Sequence, residues 1–214
     1  MSKFNDFITE LSKVSHLKES SEIKDYFDKV SDFLFHHLAI KAGKDIYTFI
    51  EVEFYYYNEK SIFKGSSLYN CTYPRSRKAG QLFWHLSGMD ICFESKEEDR
   101  YFGGILIRSL KKGEEIFAGP MRCSDVLLNS CATELPTLIE YESNFGYESK
   151  TAFRYGIEAD KNEKCNDLNM KFRYFIPQEK WTRTRYNVLV EDKSTGGYKK
   201  LEKKIDYYSA QPDK

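Results

Sequence analysis

The sequence predicts an α+β fold: a single domain on a curved, mainly antiparallel β-sheet, with N-terminal and peripheral helices. Three observations predict it. Apolar residues recur at helical spacing through residues 4–38, and residues 46–57 form a long β-type run. Further β-type runs follow at 81–94, 103–110 and 170–177, with no repeat, low-complexity segment or linker between them. A chain of 214 residues suffices for one domain with a sizeable core.

The helical region has two groups of apolar residues: Phe4, Phe7, Ile8, Leu11 and Val14, then Ile23, Phe27, Val30 and Leu34. Ser20 and Ser21 offer a cap for the second helix, with Glu22 and Asp25 in or near its first turn. His36 and His37 close that helix. Adjacent helical positions point apart, so they read as a C-terminal pair and not as metal ligands. Gly43 supplies a turn into the strand.

That strand reads I-Y-T-F-I-E-V-E-F-Y-Y-Y at 46–57. Strict alternation puts Phe49, Glu51, Glu53 and Tyr55 on one face and Ile50, Val52 and Phe54 on the other. Two readings are open. Either this is an edge strand whose glutamates point into water, or the carboxylates lie among aromatics with perturbed protonation.

Residues 58–80 are polar and contain Y-P-R-S-R-K at 73–78. Arg75, Arg77 and Lys78 suit either a phosphate-contacting loop or a solvated one. The run at 81–94 reads as two strands bent at Ser87–Gly88, and S-K-E-E-D-R at 95–100 as a turn. In I-L-I-R-S-L at 105–110, Arg108 lies among aliphatics and needs a buried carboxylate, for which the strand glutamates are candidates. Gly119–Pro120 looks like a helix start with Arg122 beside it, a favourable place for an anion. An acidic, Tyr-rich stretch follows at 140–148, then R-Y-G-I at 154–157. The strand M-K-F-R-Y-F-I-P at 170–177 precedes a basic and aromatic tail with a hairpin turn at Gly196–Gly197.

Lys+Arg and Asp+Glu both total 33, so any nucleic-acid site must be a local patch. The expectation is a patch of Arg75, Arg77, Lys78 and Arg122 around Glu53. The acidic stretches 94–99 and 140–148 would lie away from it, Glu94 excepted. No run approaches transmembrane length, and the N-terminal residues show no signal-peptide apolar region. Five cysteines without C-x-x-C spacing suggest reduced thiols in a cytoplasmic protein without a zinc site.

Several of these features fall in a known order. E-V-E-F-Y at 51–55 matches a signature strand E-[TV]-E-A-Y, and R-S-R…G-Q-L-F-W-H-L-S-G-M-D-I-C at 75–92 matches R-N-R, P-G-x-L-Y-V-Y and Y-G-M-x-x-C. I-L-I-R-S-L, G-P-M-R, R-Y-G-I and K-F-R-Y-F at 171–175 follow in order. The chain thereby resembles the alkyladenine (methylpurine) DNA glycosylase family over residues 25–180. Residues 1–24 would be a helical extension, and 181–214 a C-terminal strand or hairpin and tail.

The resemblance implies a monomeric base-excision enzyme acting on damaged duplex DNA without metal or other cofactor. Glu53 would deprotonate the water that attacks the sugar carbon, and Arg108 would orient both. Tyr55 would stack on the extruded base and His85 would form the opposing wall. Arg75, Arg77 and Arg122 would hold the nucleic-acid backbone. The family's pocket histidine has no counterpart, its wedge tyrosine corresponds to Ser87, and its pocket asparagine to Glu94. Glu94 would then line the pocket and favour cationic methylated purines, unless it merely faces solvent at a strand end. The alternatives are a non-catalytic binding module of the same fold and an N-glycosidase acting on nucleosides or RNA.

Overall fold

The computed structural model describes residues 2–17, 19–60, 72–131, 133–145, 148–152, 154 and 171–178, and the backbone of 185–192 and 197–204. Its spine is β2 (Asp45–Asn58), flanked on one side by β5 (Tyr101–Lys112) and on the other by β1 (Leu38–Ala42) and β9 (Arg173–Phe175). Beyond β5 come β4 (Gly88–Cys92), then β3 (Leu82–His85) at one edge. Beyond β1 lies β7 (Thr137–Glu140) at the other. β6 (Glu115–Ala118) extends β5 and β8 (Lys150–Ala152) extends β9, all antiparallel. The sheet curls into a half-barrel, which makes the chain an α+β single domain. β10 (Arg185–Asp192) and β11 (Gly197–Lys204) pair separately; residues 193–196 of their expected turn lie outside the described residues, as do 155–157.

Helices α1 (Lys3–Leu11) and α2 (Ser20–His37) cover the core face. Ile23, Phe27, Val30 and Leu34, at helical spacing, are all buried. The Phe27 ring lies 4.4 Å from Phe54 and 4.9 Å from Phe172. Phe7, Leu11 and Val14 join the same core, so the N-terminal segment is built into it. The α2 cap is Glu19, not Ser20 or Ser21. The Glu19 side chain accepts from the Glu22 backbone, while Glu22 accepts the Glu19 amide at 3.2 Å. The third helix, α3 (Pro120–Asn129), opens on Pro120 as expected.

Two short strands, β1 and β7, fall where the sequence suggests helix end and loop. L-A-I-K-A is an apolar run too short for its period to distinguish helix from strand, and its pairing with β2 decides. Gly43 (φ +59°) turns the chain between them, and a Cβ there would stand 2.2 Å from the Ser130 carbonyl oxygen.

The faces of β2 differ from strict alternation. Against β5, Phe49 pairs with Leu110, Glu51 with Ser109 and Val52 with Ile107, so Ile50 and Arg108 have no register partner. These irregularities change the side to which the strand's residues point. Phe49 joins Val52 and Phe54 in the main core, while Ile50 packs separately against Ile116, Ala118 and Phe175. The expected grouping of Phe49 with the glutamates and of Ile50 with Val52 is therefore corrected.

Candidate active site

β2 is central, so its glutamates do not face water. Glu51 is 1% exposed and Glu53 0%. A buried carboxylate needs charge and hydrogen bonds around it. Arg108, displaced by the irregularity on β5, supplies both: Nη1 donates to Glu53 Oε2 at 3.2 Å, and Nε lies 3.5 Å from Glu51 Oε1. The pairing expected for Arg108 is made. The Gly119 amide that opens α3 donates to the Arg108 carbonyl at 2.7 Å, tying the helix start to this point.

Glu51 has two further partners that sequence reasoning missed. Arg173 Nε donates to Oε1 at 2.6 Å and Ser109 Oγ to Oε2 at 2.5 Å. Burial alone would raise the Glu51 carboxyl, but Arg173, Arg108 and Ser109 outweigh it and hold the group below the ordinary carboxylate range. Arg173 lies in K-F-R-Y-F, a guanidinium inside an aromatic run, which is the same signal that Arg108 gave.

Tyr55 donates its phenol to Glu53 Oε2 at 2.8 Å. Burial and the Glu53 charge hold that phenol well above its ordinary value, so it remains a donor. Arg154 lies 5.1 Å over the Tyr55 ring and donates to the Phe54 carbonyl at 3.1 Å. One face of the expected stacking residue is thus covered.

A second charged cluster shares this face. Glu53 pairs in register with Leu106, and Leu106 with Asp90 on β4, so the three side chains point the same way. Asp90 accepts from Arg75 Nη2 at 2.9 Å and lies 3.1 Å from His85 Nε2. The Ser87 amide donates to His85 Nδ1 at 3.2 Å, which places the ring proton on Nε2, facing Asp90. Both nitrogens of His85 are therefore engaged by the protein. Its ring lies among Tyr73 (4.7 Å) and Phe83 (5.6 Å). Asp90 stands as a lone carboxylate in M-D-I-C, and a charge in so apolar a strand is the signal for it.

Two expected roles are corrected. Arg75 is 4% exposed and committed to Asp90, so it offers nothing to a phosphate. It fits because Gly104 leaves space: a Cβ there would stand 2.6 Å from Arg75 Nη2. Glu94 does not line the Glu53 site. Beyond the end of β4, its carboxylate accepts the Ala79 amide at 2.9 Å and its own amide donates to Leu11 at the end of α1. The expected patch around Glu53 therefore loses Arg75. Arg77 and Arg122 are exposed, lying 5.3 Å over Phe83 and 5.6 Å over Phe117 respectively.

Burial pushes the Cys92 thiol up to about 11 and raises Cys123 too, which makes both poor nucleophiles. Among the described residues no cluster of three or more His, Cys, Asp or Glu could hold a metal ion, and no helix is long and apolar enough to cross a membrane. No family model matches the chain, and no curated protein matches it.

Proposed function

We propose that the protein is a DNA glycosylase that hydrolyses the N-glycosidic bond of cationic methylated purines, with Glu53 as general base. The reading rests on one observation. Glu53 Oε2 receives both Arg108 Nη1 and the Tyr55 phenol at the centre of a sheet face that also carries Glu51, Asp90 and His85. A carboxylate held in place by these two donors is the kind of group that water activation needs. Arg108 orients Glu53, and Glu51 with Arg173 fixes Arg108 from behind. Arg122, on the first turn of the helix tied to Arg108, is the exposed cation best placed for a backbone phosphate.

The preference for cationic bases has a different basis from the Glu94 argument. A neutral base leaves only if something protonates it, and His85 is spent on Asp90 and on the Ser87 amide. A base that already carries positive charge needs no such donor. The decisive assay incubates the protein with duplexes containing 3-methyladenine, 7-methylguanine or hypoxanthine and scores abasic sites. Release of the methylated purines, lost in Glu53→Gln, supports the reading; efficient hypoxanthine release removes the substrate preference.

A second reading is favoured by the complete burial of Glu53, because a base catalyst must meet water. Under it the network is structural and the protein is a non-catalytic binding module. Duplex binding without abasic sites for any substrate would select this reading.

A further inference from the structure

The proposed glycosylase site leaves the basic, aromatic C-terminal segment unused. Residues 179–204 carry eight Lys and Arg against four Asp and Glu, although the whole chain has 33 of each. Within this segment β10 and β11 form a two-stranded ribbon that, among the described residues, pairs with no other strand. Alternation puts Lys199 and Lys203 on one face of the ribbon and Lys200 and Lys204 on the other. In register, Lys199 stands opposite Val190, Lys200 opposite Leu189, Lys203 opposite Tyr186 and Lys204 opposite Arg185. None of the four has a carboxylate across the ladder. Arg185 and Lys204 are a like-charge pair, which destabilises a ribbon left to itself. The carboxylates stand elsewhere: Glu191 and Asp192 close β10 opposite Tyr198 and Gly197, and Glu202 lies opposite Asn187.

We propose that this ribbon binds the sugar-phosphate backbone of duplex DNA, without regard to base sequence. Charge complementarity supplies the first reason: the basic excess of a neutral chain is gathered where the register provides no acid across the ladder. An anion between Arg185 and Lys204 would also relieve their repulsion. Spacing supplies the second. A β-strand advances about 3.3–3.4 Å per residue, and the phosphates of one DNA strand advance about 3.4 Å along the helix axis. Lysines at 199, 200, 203 and 204 therefore keep step with a row of phosphates, which an acidic peptide or a fluid lipid surface does not present. A two-stranded ribbon is also an element that the major groove, about 12 Å wide, admits. Such binding rests on DNA being the partner, as in the reading above, and needs neither Glu53 nor a damaged base.

Fluorescence-anisotropy titration of a short, labelled, undamaged duplex with the full chain, repeated at several salt concentrations, tests the proposal. The slope of log affinity against log salt counts the phosphates neutralised, at about 0.9 for each. The variant Lys199→Gln, Lys200→Gln, Lys203→Gln, Lys204→Gln should have a slope shallower by about two or more. Replacement of the same four lysines by arginine should keep the wild-type slope. If the fourfold glutamine variant fails to fold, Lys203→Gln, Lys204→Gln should still lower the slope by about one. A control variant, Lys13→Gln, Lys24→Gln, Lys29→Gln, Lys96→Gln, removes as many charges from lysines that already have carboxylate partners, and should leave the slope unchanged. The duplex is undamaged, so the result does not depend on base excision. Ribbon-dependent binding without abasic sites in damaged duplexes would fail the glycosylase reading alone. An unchanged slope in the ribbon variants, an equal loss in the control variant, or tighter ribbon-dependent binding to phosphatidylserine vesicles than to the duplex would each overturn the proposal.

Discussion

Arg108 Nη1 reaches Glu53 Oε2 at 3.2 Å from a position on β5 that has no register partner on β2. The irregularity lets one guanidinium serve two carboxylates, since Arg108 Nε also lies 3.5 Å from Glu51. In a regular ladder the arginine would stand opposite one β2 residue and follow the alternation of its strand. The same distortion turns Ile50 out of the main core, so the charge network and the packing are set by one local event.

Breaking this network from one side should be costly. Arg108→Met leaves two buried carboxylates without their shared cation and should lower unfolding free energy by about 3–5 kcal/mol. The double variant Arg108→Met, Glu53→Gln should recover part of that loss, because it removes Glu53 with its cation and leaves Glu51 paired with Arg173. Urea unfolding followed by circular dichroism measures both. A double variant no more stable than the single one would refute the electrostatic account.

Acid should weaken the protein partly through Glu51. Its folded carboxyl is held below the ordinary carboxylate range, so its contribution is fully present above the unfolded value of about 4.3 and fades as pH falls through the folded value. The urea midpoint should therefore drop on acidification below about pH 4.3. The drop should be smaller in Glu51→Gln, which has no such proton to take up. Parallel pH profiles for the two proteins would remove Glu51 as the cause.

Asp90 should fix which ring nitrogen of His85 acts as the donor. In the wild type, ¹⁵N spectra of the imidazole should show Nε2–H donating to Asp90 and Nδ1 accepting from Ser87. Asp90→Ala should relax that preference. It should also cost about 3–5 kcal/mol by leaving buried Arg75 without its carboxylate. A wild-type ring with its proton on Nδ1 would contradict the assignment.

Gly104→Ala should destabilise by about 1–3 kcal/mol through overpacking. The added methyl would meet Arg75 Nη2 at 2.6 Å and the Ile91 carbonyl at 3.0 Å, and Arg75 is pinned by Asp90. Thermal denaturation reads the loss directly. An unchanged midpoint would mean that Arg75 is free to move.

What the sequence determined by itself is what local period and composition can encode. The α2 stripe of Ile23, Phe27, Val30 and Leu34, the helix start at Pro120, the β3–β4 hairpin and the need of Arg108 for a carboxylate could all be read from residue type and spacing. Each depends on contacts within a few residues, or on the cost of burying a lone charge. What only the tertiary structure decided were the relations between distant segments. No spacing in the sequence announces that Ile50 and Arg108 fall out of register, since that depends on how β2 and β5 pair. Nor does it say that Arg75 turns inward to Asp90 through the space above Gly104, or that Glu94 is spent on the Ala79 amide. A charged residue in a loop or at a strand end has the same composition whether it meets solvent or a buried partner. The pairing of strands far apart in the chain chooses between them, because that pairing decides which groups lose water and must find one another.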